Sequence, residues 1–267
     1  SEALRVAHHV MLSHGRACEA VRRAAPGAEA GIVNVHLPVF PASESAADID
    51  AARRLDGSFN RWFFDPIFRG RYPEDAIADR VRLGHLKEPR LPFARDGDME
   101  TIAAPLDFLG VNYYSREVVR AGRNGEPISI KPVPAEELTE MGWEVYPRGL
   151  YDTLIRITRE YGPKNIYVTE NGAAFDDVVD PSGRIADARR IRFLRDHLAE
   201  ARRAVEDGAP LRGYFVWSLM DNFEWAHGYK KRFGLYRVDY ATQRRMAKNS
   251  AFWYRGVVAS NGIDDSE

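Results

Sequence analysis

The residues of this chain that could do chemistry are concentrated where its predicted strands end. The stretch IYVTENGAAF, residues 166–175, runs from an apolar strand into the ionisable Glu170, and Asn171-Gly172 then breaks the strand. A buried carboxylate is uncommon unless it is paired or hydrogen-bonded. A lone Glu at a strand end can be a structural polar group, but two further strands end in the same way, which favours a shared site. Their polar and aromatic residues are Asn112, Tyr113 and Tyr114 on one, and Trp217, Asp221, Asn222, Glu224 and Trp225 on the other.

These residue types are suited to sugar chemistry. Indole faces stack on the C–H faces of a pyranose ring, while carboxylates and amides bind its hydroxyl groups. A retaining glycosidase needs one carboxylate nucleophile and one carboxylic acid about 5–5.5 Å apart. A tyrosine hydroxyl bonded to the nucleophile would hold that carboxylate ionised and oriented. The strand ends therefore predict a glycoside-cleaving site.

The elements that must position these residues alternate between strands and helices. The strands are continuously apolar, which is typical of a parallel sheet covered by helices or closed into a barrel. Strands are predicted over 31–40, 106–115, 166–175 and 211–225, and helices over 1–25, 47–69, 186–207 and 248–258. Leu150, Leu154 and Ile157 mark a further helix, which Gly162-Pro163 ends. The helix over 47–69 is predicted to bury Ile49, Ala52, Leu55, Phe59, Trp62 and Phe63. Two long loops, 84–105 and 120–147, follow strands, where parallel α/β folds place their active sites.

The length of the chain is that of a complete barrel, but its number of predicted strands is not. A complete (β/α)8 barrel takes about 250 residues, and this chain has 267. Only four strand–helix units are recognisable, so the predicted fold is α/β, half of a TIM barrel with large loop insertions. One half-barrel domain is expected over 1–258, followed by a polar tail over 259–267.

Composition excludes several other classes of function. The formal net charge of −1 argues against a general affinity for nucleic acid or for anionic membranes. The single Cys18 excludes an internal disulfide and favours a cytoplasmic protein. No apolar run approaches the roughly 20 residues of a membrane span. His8, His9 and His14 lie on different faces of one predicted helix without a carboxylate or Cys set, so neither a metal nor another cofactor is expected.

Several blocks of the sequence resemble glycoside hydrolase family 1, the retaining β-glucosidases and their relatives. YVTENGAAF is similar to the nucleophile motif of that family, and the match extends over about residues 2–258. Further matching blocks, in the family's order, are RWFFDPIFRGRYPED, DFLGVNYYS and GYFVWSLMDNFEWAHGYKKRFGLYRVDY. The resemblance implies the C-terminal half of a (β/α)8 barrel, about strands 5–8 with their helices. It also implies a role in carbohydrate metabolism.

The resemblance assigns the reacting groups to two strand ends. Glu170 would be the nucleophile that forms a covalent glycosyl-enzyme, and Tyr114 the hydroxyl that orients it. Asn112 would belong to the polar floor of the same subsite.

Five further positions resemble the sugar-binding residues of the family. Trp217 would be the platform under the glycone ring. Glu224 would bind O4 and O6 of the sugar, and Trp225 would donate its indole N–H on the O3 side. Phe233 and Trp143 would form walls of the pocket, Trp143 beside the aglycone. The alternative for Trp143 is an anchor of the core or of its loop.

The acid/base motif of the family, T-[FL]-N-E-P, does not occur in this sequence. The residues SEALRVAHHVMLSHGRA resemble the family helix that follows that motif, so the acid/base Glu is expected in an N-terminal half that these 267 residues lack. Open edge strands with many aromatic residues then predict a partner. That partner is either the complementary N-terminal half-barrel or a second copy of this chain.

Two functions remain open at this level. The first is hydrolysis of terminal β-D-glucosyl residues, and also galactosyl or fucosyl residues, by a retaining mechanism that is complete only with the acid/base half. The second is a catalytically incomplete fragment that binds sugars or serves as a structural half-barrel. In both cases the expected ligand is a β-glucoside or another small glycoside.

Overall fold

A computed structural model of the chain describes residues 2–263. Its helices are α1 (Glu2–Ala24), α2 (Ala46–Asp56), α3 (Trp62–Arg69), α4 (Glu74–Arg82), α5 (Asp98–Ile102), α6 (Arg148–Tyr161), α7 (Ala188–Glu206) and α8 (Asn249–Ser260). Its strands are β1 (Gly31–Val35), β2 (Val39–Pro41), β3 (Phe108–Asn112), β4 (Glu117–Ala121), β5 (Pro127–Ile130), β6 (Ile166–Asn171), β7 (Leu211–Val216), β8 (Tyr236–Val238) and β9 (Arg245–Ala247). A π-helical turn covers Gly57–Arg61, and short 3-10 turns cover Ala135–Glu137 and Trp225–His227.

The four strands predicted from apolar runs form one sheet with the order β1-β3-β6-β7. Each strand is followed along the chain by helical segments, and the strand order follows the sequence. This succession of strands is the one expected of consecutive strands of a (β/α)8 barrel, so the α/β prediction is confirmed.

The chain divides into two compact units. The described residues of the first unit lie within 2–111, 117–130 and 156–166, and those of the second within 112–116, 131–155 and 167–263. Every residue assigned to the sugar site belongs to the second unit. The sequence prediction of one domain over 1–258 therefore stays a prediction.

In the first unit, a small sheet of β2, β4 and β5 supports α2. Strand β2 pairs parallel with β4, and β4 pairs antiparallel with β5. The buried side chains of Ala51, Ala52 and Val119 form the core between α2 and this sheet. The long segment predicted as loop from 120 to 147 therefore begins with a hairpin, and the loop predicted over 84–105 contains α5.

In the second unit, the core lies between α7, α8 and the chain that follows β6. Phe175, Phe193, Leu194 and Leu235 are buried there, against a rim of partly buried aromatic residues. Helix α7 contributes Phe193 and Leu194 from its apolar face, as its spacing predicts. The hairpin of β8 and β9 pairs Tyr236 with Ala247 and leads into α8.

Two predicted elements need correction. The apolar run 31–40 is not one buried strand, because β1 and β2 are separate and Val33 and Val35 of β1 are exposed. The helix over 47–69 is interrupted by the π-helical turn, which adds a residue to the turn and rotates the following side chains. Phe59, inside the turn, is exposed rather than buried, and so is Ile49, which precedes the turn near the start of α2.

The polar Asn60 is buried in the π-helical turn, where Phe59 is exposed. Its side-chain amide accepts from Leu37 N at 3.0 Å and donates to Leu37 O at 2.7 Å. Leu37 lies between β1 and β2. The Asn60 side chain therefore satisfies the backbone N–H and carbonyl of a residue that belongs to neither strand.

Helix α8 ends at Ser260, two residues into the predicted tail, and residues 264–267 of that tail lie outside the described part. None of the helices within residues 2–263 combines the length and the hydropathy that a bilayer crossing requires.

Candidate active site

The ends of β3 and β6 bring Tyr114 and Glu170 together. The backbone N–H of Tyr113 donates to the Glu170 carbonyl at 2.9 Å, which fixes the two strand ends in register. The Tyr114 hydroxyl donates to the Glu170 carboxylate through Oε2. Both side chains are half-buried. The arrangement holds one oxygen of the Glu170 carboxylate by the Tyr114 hydroxyl.

Electrostatics keep the Tyr114 phenol a hydrogen-bond donor. Burial raises the pKa of Tyr114 far above its usual value, and the bond to Glu170 and the charges of Glu170 and Glu224 raise it further. The phenol therefore stays protonated at any physiological pH. A donor to the charged form of a carboxylate stabilises that form.

Glu224 is the second carboxylate of the site. Its pKa is raised, first by burial and also by the charge of Glu170, while His227 opposes the shift. Its backbone N–H donates to the Gly228 carbonyl at 2.7 Å, which closes a tight turn at this residue. Its side chain is half-buried.

The Tyr114 ring packs with two further aromatic rings, those of Trp143 and Phe233. The ring centroids of Tyr114 and Trp143 are 5.3 Å apart, and Phe233 lies 6.3 Å from each of them. Phe233 is buried, while Trp143 and Tyr114 are half-buried and present part of their faces. Three of the predicted site residues thus form one apolar wall beside Glu170.

The floor of the site is a ladder of side-chain amides. Asn112 is buried and accepts from the Thr169 hydroxyl at 2.7 Å. Asn171, the residue after Glu170, is fully buried, donates to the Tyr113 carbonyl at 2.8 Å and accepts from Tyr214. These bonds tie the strand ends on both sides of Tyr114 and Glu170, so the floor fixes the backbone that carries both side chains.

Trp217 sits at the end of β7, directly against the break after Glu170. Its backbone N–H donates to the Asn171 carbonyl at 3.0 Å. A Cβ at Gly172 would lie 1.7 Å from the Trp217 carbonyl oxygen, so only glycine fits at this position. The Trp217–Ser218 peptide bond is cis. Gly172 is therefore required by the close approach of the Trp217 backbone.

Trp225 is more exposed than the other predicted site residues. It lies in the 3-10 turn next to Glu224 with a positive φ of 41°, a conformation that few non-glycine residues adopt. Its indole is 81% exposed and makes no ring contact among the described residues. Its predicted role in binding the sugar stays a prediction.

An ionic cluster behind the site was not predicted from sequence. The fully buried Lys248 donates to Asp177 at 2.5 Å and to Asp221 at 3.2 Å, and the fully buried Arg190 donates to Asp177 and to Asp187. Burial and the charge of Arg190 lower the pKa of Lys248. The cluster fastens the segment after Glu170 to the beginning of α8.

Asp221 belongs to this cluster and not to the sugar site. It accepts from Arg232 Nη1 and from Gly234 N, both at 2.9 Å, and its side chain is fully buried. These bonds lock the segment after β7 to the chain around Phe233. Asp221 thus has a structural role in this segment.

The histidines of α1 do not form a metal site. Buried His8 bonds to the Tyr72 hydroxyl and to Asp98, both at 3.0 Å. Across residues 2–263, no three His, Cys, Asp or Glu side chains are grouped as metal ligands.

Known β-glucosidases are similar to this chain. Residues 1–263 match the family described as Glycosyl hydrolase family 1. The chain is 42% identical over 264 residues to beta-glucosidase A of Acetivibrio thermocellus, covering 98% of this chain and 58% of the relative. It is 42% identical over 277 residues to the bifunctional beta-D-glucosidase/beta-D-fucosidase of Bifidobacterium breve, covering 97% of this chain and 58% of that relative.

A solved structure matches to the same extent. The beta-glucosidase from Thermotoga maritima in complex with deoxynojirimycin superposes with a TM-score of 0.88 at 42% identity, over 98% of this chain and 58% of that one. The chain matches the C-terminal portion of these (β/α)8-barrel proteins, as its sequence predicts. It spans a little under three fifths of the length of the relatives it matches.

Proposed function

Because the chain belongs to glycosyl hydrolase family 1, we propose that it carries the nucleophile and the glycone subsite of a retaining β-glucosidase. Glu170 attacks the anomeric carbon, and the bond to the leaving oxygen breaks as the glycosyl-enzyme forms. Tyr114 holds the attacking carboxylate in place. The observation that carries this proposal is the bond from the Tyr114 hydroxyl to Glu170 inside the wall of Trp143 and Phe233.

The glycone would lie between Trp217 and the carboxylates. Glu224 would bind hydroxyls on the side of the ring away from the bond that breaks. Asn112 would supply an amide from the floor, and Trp225 an indole N–H. The named activities of the relatives support glucosyl and fucosyl residues as the glycones.

Protonation of an ordinary leaving group is the step that this site supports least. Glu224 is the carboxylate whose charge reaches both Tyr114 and Glu170, and its proposed place is on the glycone side. We therefore propose that turnover of alkyl glucosides needs a general acid from a complementary N-terminal half-barrel. An activated leaving group departs as a stable anion and needs no proton.

Exposed apolar side chains on the outer strands support such a partner. In the first unit, Val33 and Val35 of β1 are each 47% exposed, and in the second unit Phe215 of β7 is 57% exposed. Unpaired strand edges with apolar side chains favour association. Light scattering on the purified chain should show a complex or self-association; a monomer that melts cooperatively would contradict this part of the proposal.

The nucleophile can be tested on the chain as it is. A dinitrophenyl β-glucoside with fluorine in place of the second hydroxyl should transfer its sugar to Glu170, giving an intact-mass gain of one fluorosugar. Glu170→Gln should abolish the gain. Tyr114→Phe should slow it about tenfold or more, because positioning contributes on this scale. Glu160→Gln, a surface carboxylate on α6, should label like the wild type.

The alternative is a sugar-binding half-barrel without chemistry. The exposure of Trp225 favours it, since an open platform binds a sugar without enclosing the reacting bond. Calorimetry with deoxynojirimycin separates the two functions. Binding without any covalent label would support the alternative and contradict the proposed nucleophile.

A further inference from the structure

The short linker between β3 and β4, residues 113–116, is bonded at three points to residues 144–146. The Tyr113 hydroxyl donates to the Tyr146 carbonyl at 2.5 Å. The Ser115 hydroxyl donates to the Glu144 carbonyl at 2.8 Å. Arg116 binds the Glu144 carboxylate with two parallel bonds of 2.9 Å.

Tyr114 lies between the bonded residues of this linker, and Trp143 directly precedes the bonded residues of the other segment. The Tyr114 hydroxyl bonds to Glu170, and the Trp143 ring lies 5.3 Å from the Tyr114 ring. Fixing the two backbones on each side therefore fixes the distance between the phenol that holds the nucleophile and the indole that walls the site.

The ion pair is the strongest of the three connections. Its side chains are mostly buried, at 19% exposure for Arg116 and 9% for Glu144. The guanidinium also lies 3.8 Å from the centre of the Tyr146 ring. A two-bond arginine–carboxylate contact fixes orientation as well as distance, which a lysine cannot reproduce.

The loop that carries Trp143 has a second attachment. The Trp143 carbonyl accepts from Thr139 N at 2.9 Å, and Glu140 N donates to the Ala174 carbonyl at 2.9 Å. Ala174 follows the nucleophile strand by three residues. The loop is thus fastened on one side to the segment after Glu170 and on the other to Arg116.

We propose that Arg116 and Glu144 are positioning residues for the reaction of Glu170, which they serve by holding Tyr114 and Trp143 in place. This inference rests on the proposed role of Glu170. Neither residue reaches the sugar. Loss of the pair lets the Trp143 loop and the Tyr114 linker move apart, so the carboxylate loses its orientation while the fold persists.

The test uses two readouts on the same variants. The first is the rate constant for fluorosugar labelling of Glu170. The second is the fluorine NMR resonance of Trp143 in protein made with fluorotryptophan, assigned by its disappearance in Trp143→Phe. Arg116→Met and Glu144→Gln should each shift or broaden that resonance and slow labelling about tenfold, since small misplacements cost rates of that order. Arg116→Lys should resemble Arg116→Met.

A matched control lies on α7. Arg202 bonds to Glu206 at 2.9 Å, and both side chains are exposed. Arg202→Met should change neither readout. An unchanged Trp143 resonance in both Arg116→Met and Glu144→Gln, or unchanged labelling despite a shifted resonance, would overturn the inference.

The two proposals fail in different ways. If the wild-type chain takes no label, the nucleophile assignment fails, and the fluorine resonance still shows whether Arg116 and Glu144 hold Trp143. If the wild type labels and the variants label equally fast, the nucleophile assignment stands and the positioning role is refuted.

Discussion

Two buried histidines should make the fold sensitive to mild acid. Burial, the main cause, lowers the pKa of His197 from 6.5 to about 4 and that of His36 from 6.5 to about 3. The Nδ1 of His197 donates to the Phe193 carbonyl at 2.7 Å, while its Nε2 has no hydrogen-bond partner among the described residues. A proton on Nε2 would place an unsatisfied charge in the core.

The pKa values set both the sign and the size of the effect. Above pH 6.5 both histidines are neutral in the folded and unfolded chain, so their contribution to stability is complete. As the pH falls below 6.5, these histidines bind protons in the unfolded chain but not in the folded chain. The free energy of unfolding therefore declines toward pH 4 and below. At about pH 5 this costs about 2 kcal/mol for each histidine, or about 4 kcal/mol for both.

Urea titrations at about pH 8 and about pH 5 measure this loss. Glutamine does not titrate and keeps an amide donor, so His197→Gln should reduce the loss between the two pH values by about 2 kcal/mol. The exposed His9 gives the control, and His9→Gln should lose as much stability as the wild type. If His197→Gln also loses as much as the wild type, His197 is not a neutral buried group and the reasoning is wrong.

Two further predictions concern the supports of the site. Lys248→Met should lower the free energy of unfolding by about 3–5 kcal/mol in urea titrations, because Asp177 and Asp221 lose a buried partner. Lys230→Met, at the surface, should stay within about 0.5 kcal/mol of the wild type; equal effects would show that the cluster does not stabilise the fold. Gly172→Ala should cost about 1–3 kcal/mol through overpacking and should slow labelling of Glu170 by displacing Trp217. An alanine variant with unchanged melting and labelling would contradict the close approach of the Trp217 carbonyl.

The sheet and its helices could be predicted because their signals are local. Continuous apolar runs indicate buried parallel strands, and α6 and α7 show apolar residues at helical spacing. The family was predicted from motifs at strand ends, and it is confirmed. The structure brings Tyr114, Glu170, Trp143 and Phe233 together, while the roles assigned to all the predicted site residues stay predictions.

Other features depend on contacts that no local pattern shows. The π-helical turn at 57–61 breaks the helical spacing by one residue, so the buried face predicted through Phe59 was wrong. The salt bridges of Lys248 join positions 71 and 27 residues away in the chain. The bond between Arg116 and Glu144 spans 28 residues. The sequence motif around Trp143 indicates a role for the indole. A role for the neighbouring Glu144 is evident only in the structure, where its carboxylate binds Arg116.

The location of the covalent adduct tests the central claim most directly. After incubation with the activated fluorosugar, trypsin should release residues 165–184, between Lys164 and the cleavage after Arg184. Fragmentation of this peptide should place the sugar on Glu170 and leave Asp176, Asp177 and Asp180 unmodified. No adduct, or an adduct on another carboxylate, would contradict the assignment of Glu170 as the nucleophile.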